Sequence, residues 1–235
     1  MKYVTNYKNF LDYFDIQIEK NGINSFKEKY PYFYYMIFAK IVYLPLSFSN
    51  YYMEHNGINY IPMNIGNEDA CIYETPDETI ISFRGTVVNN IYNLFTILRV
   101  EEVEYYGFMV HAGFEEYTRH IQAKLQPLIS NLKKPITLVG HSMGGALATL
   151  SSLYIKPDKI VTFGCPKYVK SDEQFPNYNI TNIIDGIDFV TYLPPFWYKR
   201  VGTDLRIKSS ENFITSHFTI NYLNSLNNYY SLNIP

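Results

Sequence analysis

The residues best suited to chemistry lie at positions 140–144, which read GHSMG and fit the pattern G-x-S-x-G. A serine hydroxyl attacks an electrophilic carbonyl when a neighbouring base removes its proton. A short apolar run precedes this segment, and small residues at helical spacing follow it. A strand that turns sharply into a helix would strain Ser142, and flanking glycines would remove the side chains that clash there. A serine that only capped a helix would not need glycines at positions 140, 144 and 145, so the sequence predicts a nucleophile elbow.

The base that would activate Ser142 follows from chain order. Serine hydrolases with this elbow carry their residues in the order serine, acid, histidine. Of the histidines at positions 55, 111, 120, 141 and 217, His217 is the one that follows Ser142. It stands at the start of a predicted last helix. His217 is therefore the predicted base, and the alternative is an incidental surface histidine.

The acid is less constrained by the residues alone. Seven carboxylates separate Ser142 from His217, namely Asp158, Asp172, Glu173, Asp185, Asp188, Asp204 and Glu211. Active sites of open α/β sheets lie at the carboxyl ends of strands. Asp158 precedes its predicted strand, and residues 172–173 lie in a polar loop-like stretch. Asp185 and Asp188 follow the predicted strand 178–184, so by their position at its carboxyl end both remain candidates for the acid.

The elements that must position these residues read as an α/β fold. From residue 114 onward, helical spacing alternates with short apolar runs, which is typical of parallel strands joined by crossover helices. The helix predicted over 114–132 contains Pro127, which is expected to kink it. Residues 59–65, 70–74 and 79–83 read as three strands that extend the same sheet, and residues 1–50 read as two helices. We see no linker, so residues 1–235 are predicted to form one domain.

Composition and charge limit the classes of function. The 235 residues carry a net charge of −2, which disfavours a nucleic acid partner, and two cysteines make no disulfide framework. The first twenty residues lack the continuous apolar stretch of a signal peptide, so a cytoplasmic product is the default expectation. Residues 32–48 are apolar but too short and too interrupted for a transmembrane segment, and they predict a buried helix, with an interfacial membrane contact as the alternative. The 24 tyrosines are attributed to biased base composition.

Five motifs in order resemble those of the class 3 lipases, a family of fungal-lipase-like α/β hydrolases, over about residues 59–225. They are ISFRGT at 81–86, VHAGF at 110–114, GHSMGG at 140–145, FGCPK at 163–167 and DFVTYLPP at 188–195. The segment RVGTDLR at 200–206 is similar to a late strand of the family. The resemblance implies the α/β-hydrolase fold, a central mostly parallel sheet flanked by helices.

The same resemblance implies roles for individual residues. Ser142 corresponds to the nucleophile, Asp188 to the acid and His217 to the base, so Asp188 is preferred to Asp185. Thr86, through its backbone N–H and hydroxyl, and Met143, through its backbone N–H, would form the oxyanion hole. No metal or organic cofactor is implied. Three further side chains are interpreted as structural rather than catalytic: Arg84, in an ion pair, His111 and His141.

Two departures from the family stand out. Thr191 replaces the usual first proline of the acid motif, and only 28 residues separate Asp188 from His217, so a loop or strand is trimmed. These departures leave the chemistry intact, but with the missing signal pattern they put an extracellular digestive role in doubt.

The substrate class depends on residues 87–98, where the family has its lid. Six apolar residues there recur at helical spacing: Val87, Val88, Ile91, Leu94, Phe95 and Leu98. They indicate either a lid that opens at a lipid surface or a helix packed in the core. The lid interpretation predicts a lipase acting on acylglycerols, with transient contact to a lipid surface. The alternatives are a soluble carboxylesterase, a phospholipase or an acyltransferase with the same triad, and a degenerate lipase-like binding module.

Overall fold

A central sheet of seven strands organises the computed structural model, which describes residues 7–63, 70–86, 101–195, 197–209, 212 and 215–234. The strands described are β1 (Asn59–Met63), β2 (Ala70–Glu74), β3 (Thr79–Phe83), β4 (Glu102–Tyr105), β5 (Phe108–His111), β6 (Ile136–His141), β7 (Lys159–Phe163), β8 (Ile180–Asp185) and β9 (Thr203–Ile207). The sheet order is β1-β2-β3-β6-β7-β8-β9, and β4 and β5 form a separate hairpin.

Strand direction confirms the predicted mostly parallel sheet. β1, β2 and β3 pair antiparallel, whereas β3, β6, β7, β8 and β9 pair parallel. The three early strands extend the same sheet, as predicted. Because the carboxyl ends of parallel strands share one edge, residues that follow β6 and β8 meet there.

Seven α-helices are described, and they cover both faces of the sheet. They are α1 (Lys8–Asn21), α2 (Ile23–Lys29), α3 (Pro31–Ile41), α4 (Leu46–His55), α5 (Ala112–Ile129), α6 (Met143–Ile155) and α7 (Thr219–Tyr230). Helices α1–α4 and α7 pack on the face to which Val139 and Val161 belong. Helices α5 and α6 pack on the face of Leu138 and Ile160. Neighbouring residues of one strand thus bury into different cores, as the two-residue period of a strand requires.

The amino-terminal region differs from its prediction in number of helices. The sequence predicts two helices over residues 1–50, whereas residues 8–55 form four. Gly22, with φ of 78°, separates α1 from α2. Pro45 immediately precedes α4 and occupies its N-cap position. The buried helix predicted within 32–48 is confirmed as α3, in which every residue from Phe33 to Ile41 is buried.

Other predictions shift or fall outside the described residues. The sequence does not predict the hairpin of β4 and β5, because each strand has only four residues and β4 carries two glutamates. The strand predicted at 178–184 is β8, and the helix predicted at 114–132 is α5, which contains Pro127. The segment 87–98, interpreted as a lid or a core helix, lies outside the described residues. The assignment of residues 1–235 to one domain stays a prediction.

Within the ranges given above, no helix has both the length and the hydropathy needed to cross a bilayer.

Candidate active site

Ser142 lies at the sharp turn between β6 and α6. Its backbone has φ of 58° and ψ of −132°, a conformation that side-chain-bearing residues seldom adopt. The turn is tight because a Cβ atom at position 144 would overlap the carbonyl oxygen of Phe83 on the neighbouring strand β3. Glycine is therefore required at 144 by close approach of two backbones. The predicted elbow geometry is present at residues 140–144.

The His217 imidazole lies between Ser142 and Asp188. Its Nε2 atom is 2.8 Å from the Ser142 hydroxyl oxygen, and its Nδ1 atom is 2.8 Å from Asp188 Oδ2 and 3.0 Å from Oδ1. The three residues expose 4%, 6% and 0% of their surface for Ser142, His217 and Asp188 respectively. A base thus lies within hydrogen-bond distance of a hydroxyl on one side and of a carboxylate on the other, the arrangement that activates a serine nucleophile.

Each side chain reaches this position from a different element. Ser142 follows β6, Asp188 lies three residues beyond β8, and His217 ends a short 3-10 helix (Thr215–His217) that precedes α7. Asp188 itself caps a 3-10 helix (Phe189–Tyr192), where its Oδ1 accepts the N–H of Val190 at 3.0 Å. The sheet edge expected from strand order is where the three converge.

The carboxylate within hydrogen-bond distance of His217 is that of Asp188, not the open alternative Asp185. Burial raises the pKa of Asp188, but the adjacent His217 imidazole and the Tyr222 hydroxyl outweigh burial, so the pKa is lowered. The carboxylate therefore stays ionised near neutral pH. Asp185 ends β8, and its backbone N–H donates to the Tyr222 hydroxyl at 3.1 Å.

Tyr222 is a site residue that the sequence did not reveal. Its hydroxyl donates to Asp188 Oδ2 at 2.8 Å while accepting the N–H of Asp185. The residue lies on α7, 34 positions after Asp188, and is buried. One tyrosine among 24 carries no signal of this contact in the sequence. Its place five residues after His217, on the inner face of a predicted helix, is the only hint.

Thr86 and Met143, the predicted oxyanion residues, lie next to each other. The Thr86 hydroxyl donates to the Met143 sulfur at 3.4 Å. Met143 is the first residue of α6, and the N–H groups of a helix's first turn have no partner within the helix. Such free N–H groups, together with the helix dipole, stabilise negative charge.

The residues interpreted as structural occupy different places. The His111 ring contacts the Phe114 ring, with centroids 4.5 Å apart and planes tilted by 30°. The Arg84 guanidinium carbon is 5.6 Å from the centroid of the Tyr43 ring, a cation–π contact, and its predicted ion pair stays a prediction. His141 lies inside the site, where its Nε2 is 2.8 Å from the His217 carbonyl oxygen.

In the described part of the chain, no three His, Cys, Asp or Glu side chains are grouped as metal ligands would be.

Comparison with known proteins identifies the family. The family model described as lipase (class 3) matches residues 80–197, half of the chain. The chain belongs to the class 3 lipase family. The matched range contains the predicted oxyanion loop, the elbow and the predicted acid motif, whereas His217 and Tyr222 lie beyond it.

Similar lipases of known structure share the fold. A Rhizomucor miehei triacylglyceride lipase aligns with a TM-score of 0.64 at 20% identity, over 81% of this chain and 82% of that chain. A lipase from Rhizopus microsporus var. chinensis aligns with a TM-score of 0.59 at 19% identity, over 90% and 75%. These likenesses confirm the predicted α/β-hydrolase fold.

Two curated relatives match shorter stretches of sequence. The chain is 27% identical over 150 residues to the secreted mono- and diacylglycerol lipase 1 of Fusarium solani, covering 54% of this chain and 43% of that protein. It is 31% identical over 87 residues to phospholipase A1-II 4 of Oryza sativa subsp. japonica, covering 31% and 22%. The matches thus span less than half the length of these relatives.

Proposed function

We propose that the protein is a serine hydrolase that cleaves carboxylic esters of lipids through an acyl-enzyme. One observation carries the proposal: the His217 imidazole lies 2.8 Å from the Ser142 hydroxyl and 2.8 Å from the Asp188 carboxylate. Three elements far apart in sequence are required to assemble this arrangement. A strained backbone at Ser142 adds support, because such strain is retained at functional sites.

Acylation begins when the Ser142 oxygen attacks the ester carbonyl and its proton passes to His217 Nε2. Asp188 holds the other imidazole nitrogen, so that Nε2 is free to accept, and stabilises the imidazolium. The backbone N–H groups of Met143 and Thr86 stabilise the oxyanion, which contributes about 3–4 kcal/mol per donor in such sites. The tetrahedral intermediate collapses as the alcohol leaves with the proton from His217.

Deacylation repeats these steps with water. His217 takes a proton from water, the hydroxide attacks the acyl carbonyl, and the carboxylic acid leaves as Ser142 recovers its proton. The buried Asp188 remains ionised throughout, consistent with its lowered pKa. No step calls for a group other than these side chains, the backbone donors and water.

A lipid substrate is supported by the surroundings of the triad and by the relatives. Phe218, adjacent to His217, is 44% exposed, and Ile187, adjacent to Asp188, is 57% exposed. Exposed apolar side chains next in sequence to triad residues would suit an acyl chain or a lipid surface. One relative is a mono- and diacylglycerol lipase, so we propose an acylglycerol substrate. A lid at 87–98 stays a prediction.

A phospholipase A1 is the second candidate, because the rice relative of 31% identity carries that name. Both candidates use the same triad and differ in the alcohol that leaves. Hydrolysis of a diacylglycerol compared with that of a phosphatidylcholine of the same acyl chains separates them.

The test of the chemistry is labelling of Ser142 by a fluorophosphonate probe. Ser142→Ala is expected to abolish labelling and to lower ester turnover on the order of a million-fold while the protein folds. Ser152→Ala is the matched control: Ser152 is buried on α6, and its hydroxyl donates to the Thr149 carbonyl at 2.6 Å. A Ser142→Ala protein that turns over ester like the Ser152→Ala control would exclude the proposal.

The test of the substrate class compares rates on a short-chain triacylglycerol below and above its solubility limit. A lipase with a lid is expected to accelerate when droplets form, whereas a soluble esterase keeps a hyperbolic rate curve. A rate that ignores the interface, with preserved labelling of Ser142, would replace the lipid proposal by the soluble esterase. Ester products formed when alcohol competes with water would indicate the acyltransferase.

A further inference from the structure

Tyr43, which follows α3, reaches the active site from the amino-terminal region. Its hydroxyl oxygen accepts the N–H of Gly85 at 2.8 Å and lies 3.2 Å from His141 Nδ1 and 3.3 Å from the His141 carbonyl oxygen. Gly85 precedes the predicted oxyanion residue Thr86, and His141 precedes Ser142. One hydroxyl therefore bridges the oxyanion loop and the elbow.

The protonation of His141 sets the direction of these hydrogen bonds. His141 Nε2 lies 2.8 Å from the His217 carbonyl oxygen, and a carbonyl only accepts, so Nε2 carries the proton. Burial and the neighbouring His217 imidazole lower the pKa of His141 to about 3, so the ring is neutral near pH 7. The Nδ1 atom is then an acceptor, and the single Tyr43 O–H proton donates to His141, where Nδ1 at 3.2 Å and the carbonyl oxygen at 3.3 Å share it. The chain of bonds runs from Gly85 through Tyr43 and His141 to the backbone of His217.

We propose that Tyr43 is a positioning residue whose hydroxyl holds the oxyanion loop and, through His141, the catalytic base in register with Ser142. The inference rests on the proposed function, because it assigns Tyr43 a part in the same reaction. It also assigns a role in positioning the active site to a residue of the amino-terminal region. Tyr43 acts through Gly85 and His141 rather than on the reacting atoms themselves.

The backbones around Tyr43 are packed tightly enough for small shifts to matter. A Cβ atom at position 85 would overlap the Tyr43 hydroxyl and would lie 2.6 Å from the His141 carbonyl oxygen. The same atom would lie 3.1 Å from Ser142 Cβ. The oxyanion loop and the elbow thus meet at the Tyr43 hydroxyl with no side chain between them. Catalytic donors misplaced by about 1 Å cost on the order of a hundredfold in rate.

The Tyr43 ring is held independently of its hydroxyl. Lys40 Nζ is 5.8 Å and Arg84 Cζ is 5.6 Å from the ring centroid, both as cation–π contacts. The His141 ring packs edge-on at 6.0 Å between centroids. Phenylalanine at position 43 would keep these contacts and lose only the hydroxyl, so Tyr43→Phe isolates the bridge.

The experiment compares Tyr43→Phe with Tyr52→Phe in the full chain. Tyr52 is a buried tyrosine of α4 whose hydroxyl donates to the Leu11 carbonyl at 3.1 Å, outside the site. Tyr43→Phe is expected to lower kcat on a soluble ester about ten- to a hundredfold with KM changed less than threefold. The rate of Ser142 phosphonylation by the fluorophosphonate should fall by the same factor. Tyr52→Phe should leave both rates unchanged.

A second readout reports the bridge without activity. In the 15N NMR spectrum of the imidazoles, His141 Nδ1 should shift toward a free, unprotonated nitrogen in Tyr43→Phe, whereas Tyr52→Phe leaves it in place. Equal kcat for the two variants, or an unmoved His141 Nδ1 resonance, would overturn the inference. If wild-type protein fails to react with the probe at Ser142, the proposed function falls, and the resonance alone then decides whether Tyr43 forms the bridge.

Discussion

The Tyr222 hydroxyl offers a sharp test of how the acid is held. It donates to Asp188 Oδ2 at 2.8 Å and accepts the Asp185 N–H at 3.1 Å, in a fully buried position. Tyr222→Phe removes one hydrogen bond to a charged group, worth about 1.5–3 kcal/mol, and leaves a buried N–H unsatisfied, at about 1–3 kcal/mol. Because the two losses overlap at one oxygen, we expect a decrease of about 2–4 kcal/mol in the free energy of unfolding.

The activity of Tyr222→Phe should fall less than its stability suggests. Asp188 keeps the Val190 N–H and the His217 imidazole, so it remains ionised at neutral pH. Its carboxylate is freer to rotate, and we expect kcat to fall on the order of tenfold with KM unchanged. Tyr222→Phe keeps the Asp188 carboxylate, which fixes the tautomer of the His217 imidazole. Asp188→Asn removes that carboxylate and would alter the tautomer, so its loss of activity should be larger.

The pH dependence of stability tests the Tyr222–Asp188 hydrogen bond independently of activity. The pKa of Asp188 is lowered in the folded protein, so this group stabilises the fold above its unfolded value of about 3.9 and loses that contribution as pH falls through the folded pKa. The Tyr222 hydroxyl is one of the groups that lower this pKa. In Tyr222→Phe the folded pKa rises, and acid unfolding should begin at higher pH.

Tyr168→Phe is the matched control for these measurements. Its hydroxyl is buried and accepts the N–H of Val201 at 3.1 Å, as that of Tyr222 accepts the N–H of Asp185, but among the described residues it has no hydrogen bond to a carboxylate. Denaturant unfolding at pH 7, an acid titration followed by fluorescence, and kcat on a soluble ester are measured for both. If Tyr222→Phe matches Tyr168→Phe in kcat and in acid midpoint, the hydroxyl does not hold the acid and the reasoning fails.

Two further predictions concern the buried cation near the site and the elbow. Burial and the nearby Arg84 charge lower the pKa of Lys40 to about 7, so the unfolded chain binds more protons above that pH and stability should rise with pH. Between pH 7 and 9 the free energy of unfolding of wild type should gain about 2 kcal/mol relative to Lys40→Met, measured by denaturant unfolding. Gly144→Ala should lower the free energy of unfolding by about 3 kcal/mol or more, because the new Cβ meets the Phe83 backbone, which cannot rotate away.

The predictions for Lys40 and Gly144 can each be contradicted by one result. Parallel pH profiles for wild type and Lys40→Met would mean that Lys40 titrates as it does in water. For Gly144→Ala, the comparison is Ser152→Ala on the same helix, which loses one hydroxyl and should cost about 1 kcal/mol. Equal destabilisation by both substitutions would show that the elbow accommodates a methyl group.

What the sequence determined by itself is local. A strand, a sharp turn and a helix are encoded within residues 136–150 by apolar spacing and by glycines, so the elbow around Ser142 could be located directly. Chain order reduced the candidates for the base to one histidine, His217. The alternating strands and helices predicted the parallel sheet, because each period reports which face of an element is buried.

The tertiary structure decided which distant side chains meet. Strand position left Asp185 and Asp188 both open, and the approach of His217 to Asp188 depends on how α7 packs on the sheet. Tyr222 and Tyr43 contact the site across 34 and 98 residues of chain, and neither differs by its local pattern from the other tyrosines. A hydrogen-bond partner is chosen by the packing of whole elements, and periodicity, which reports only burial, cannot encode that choice.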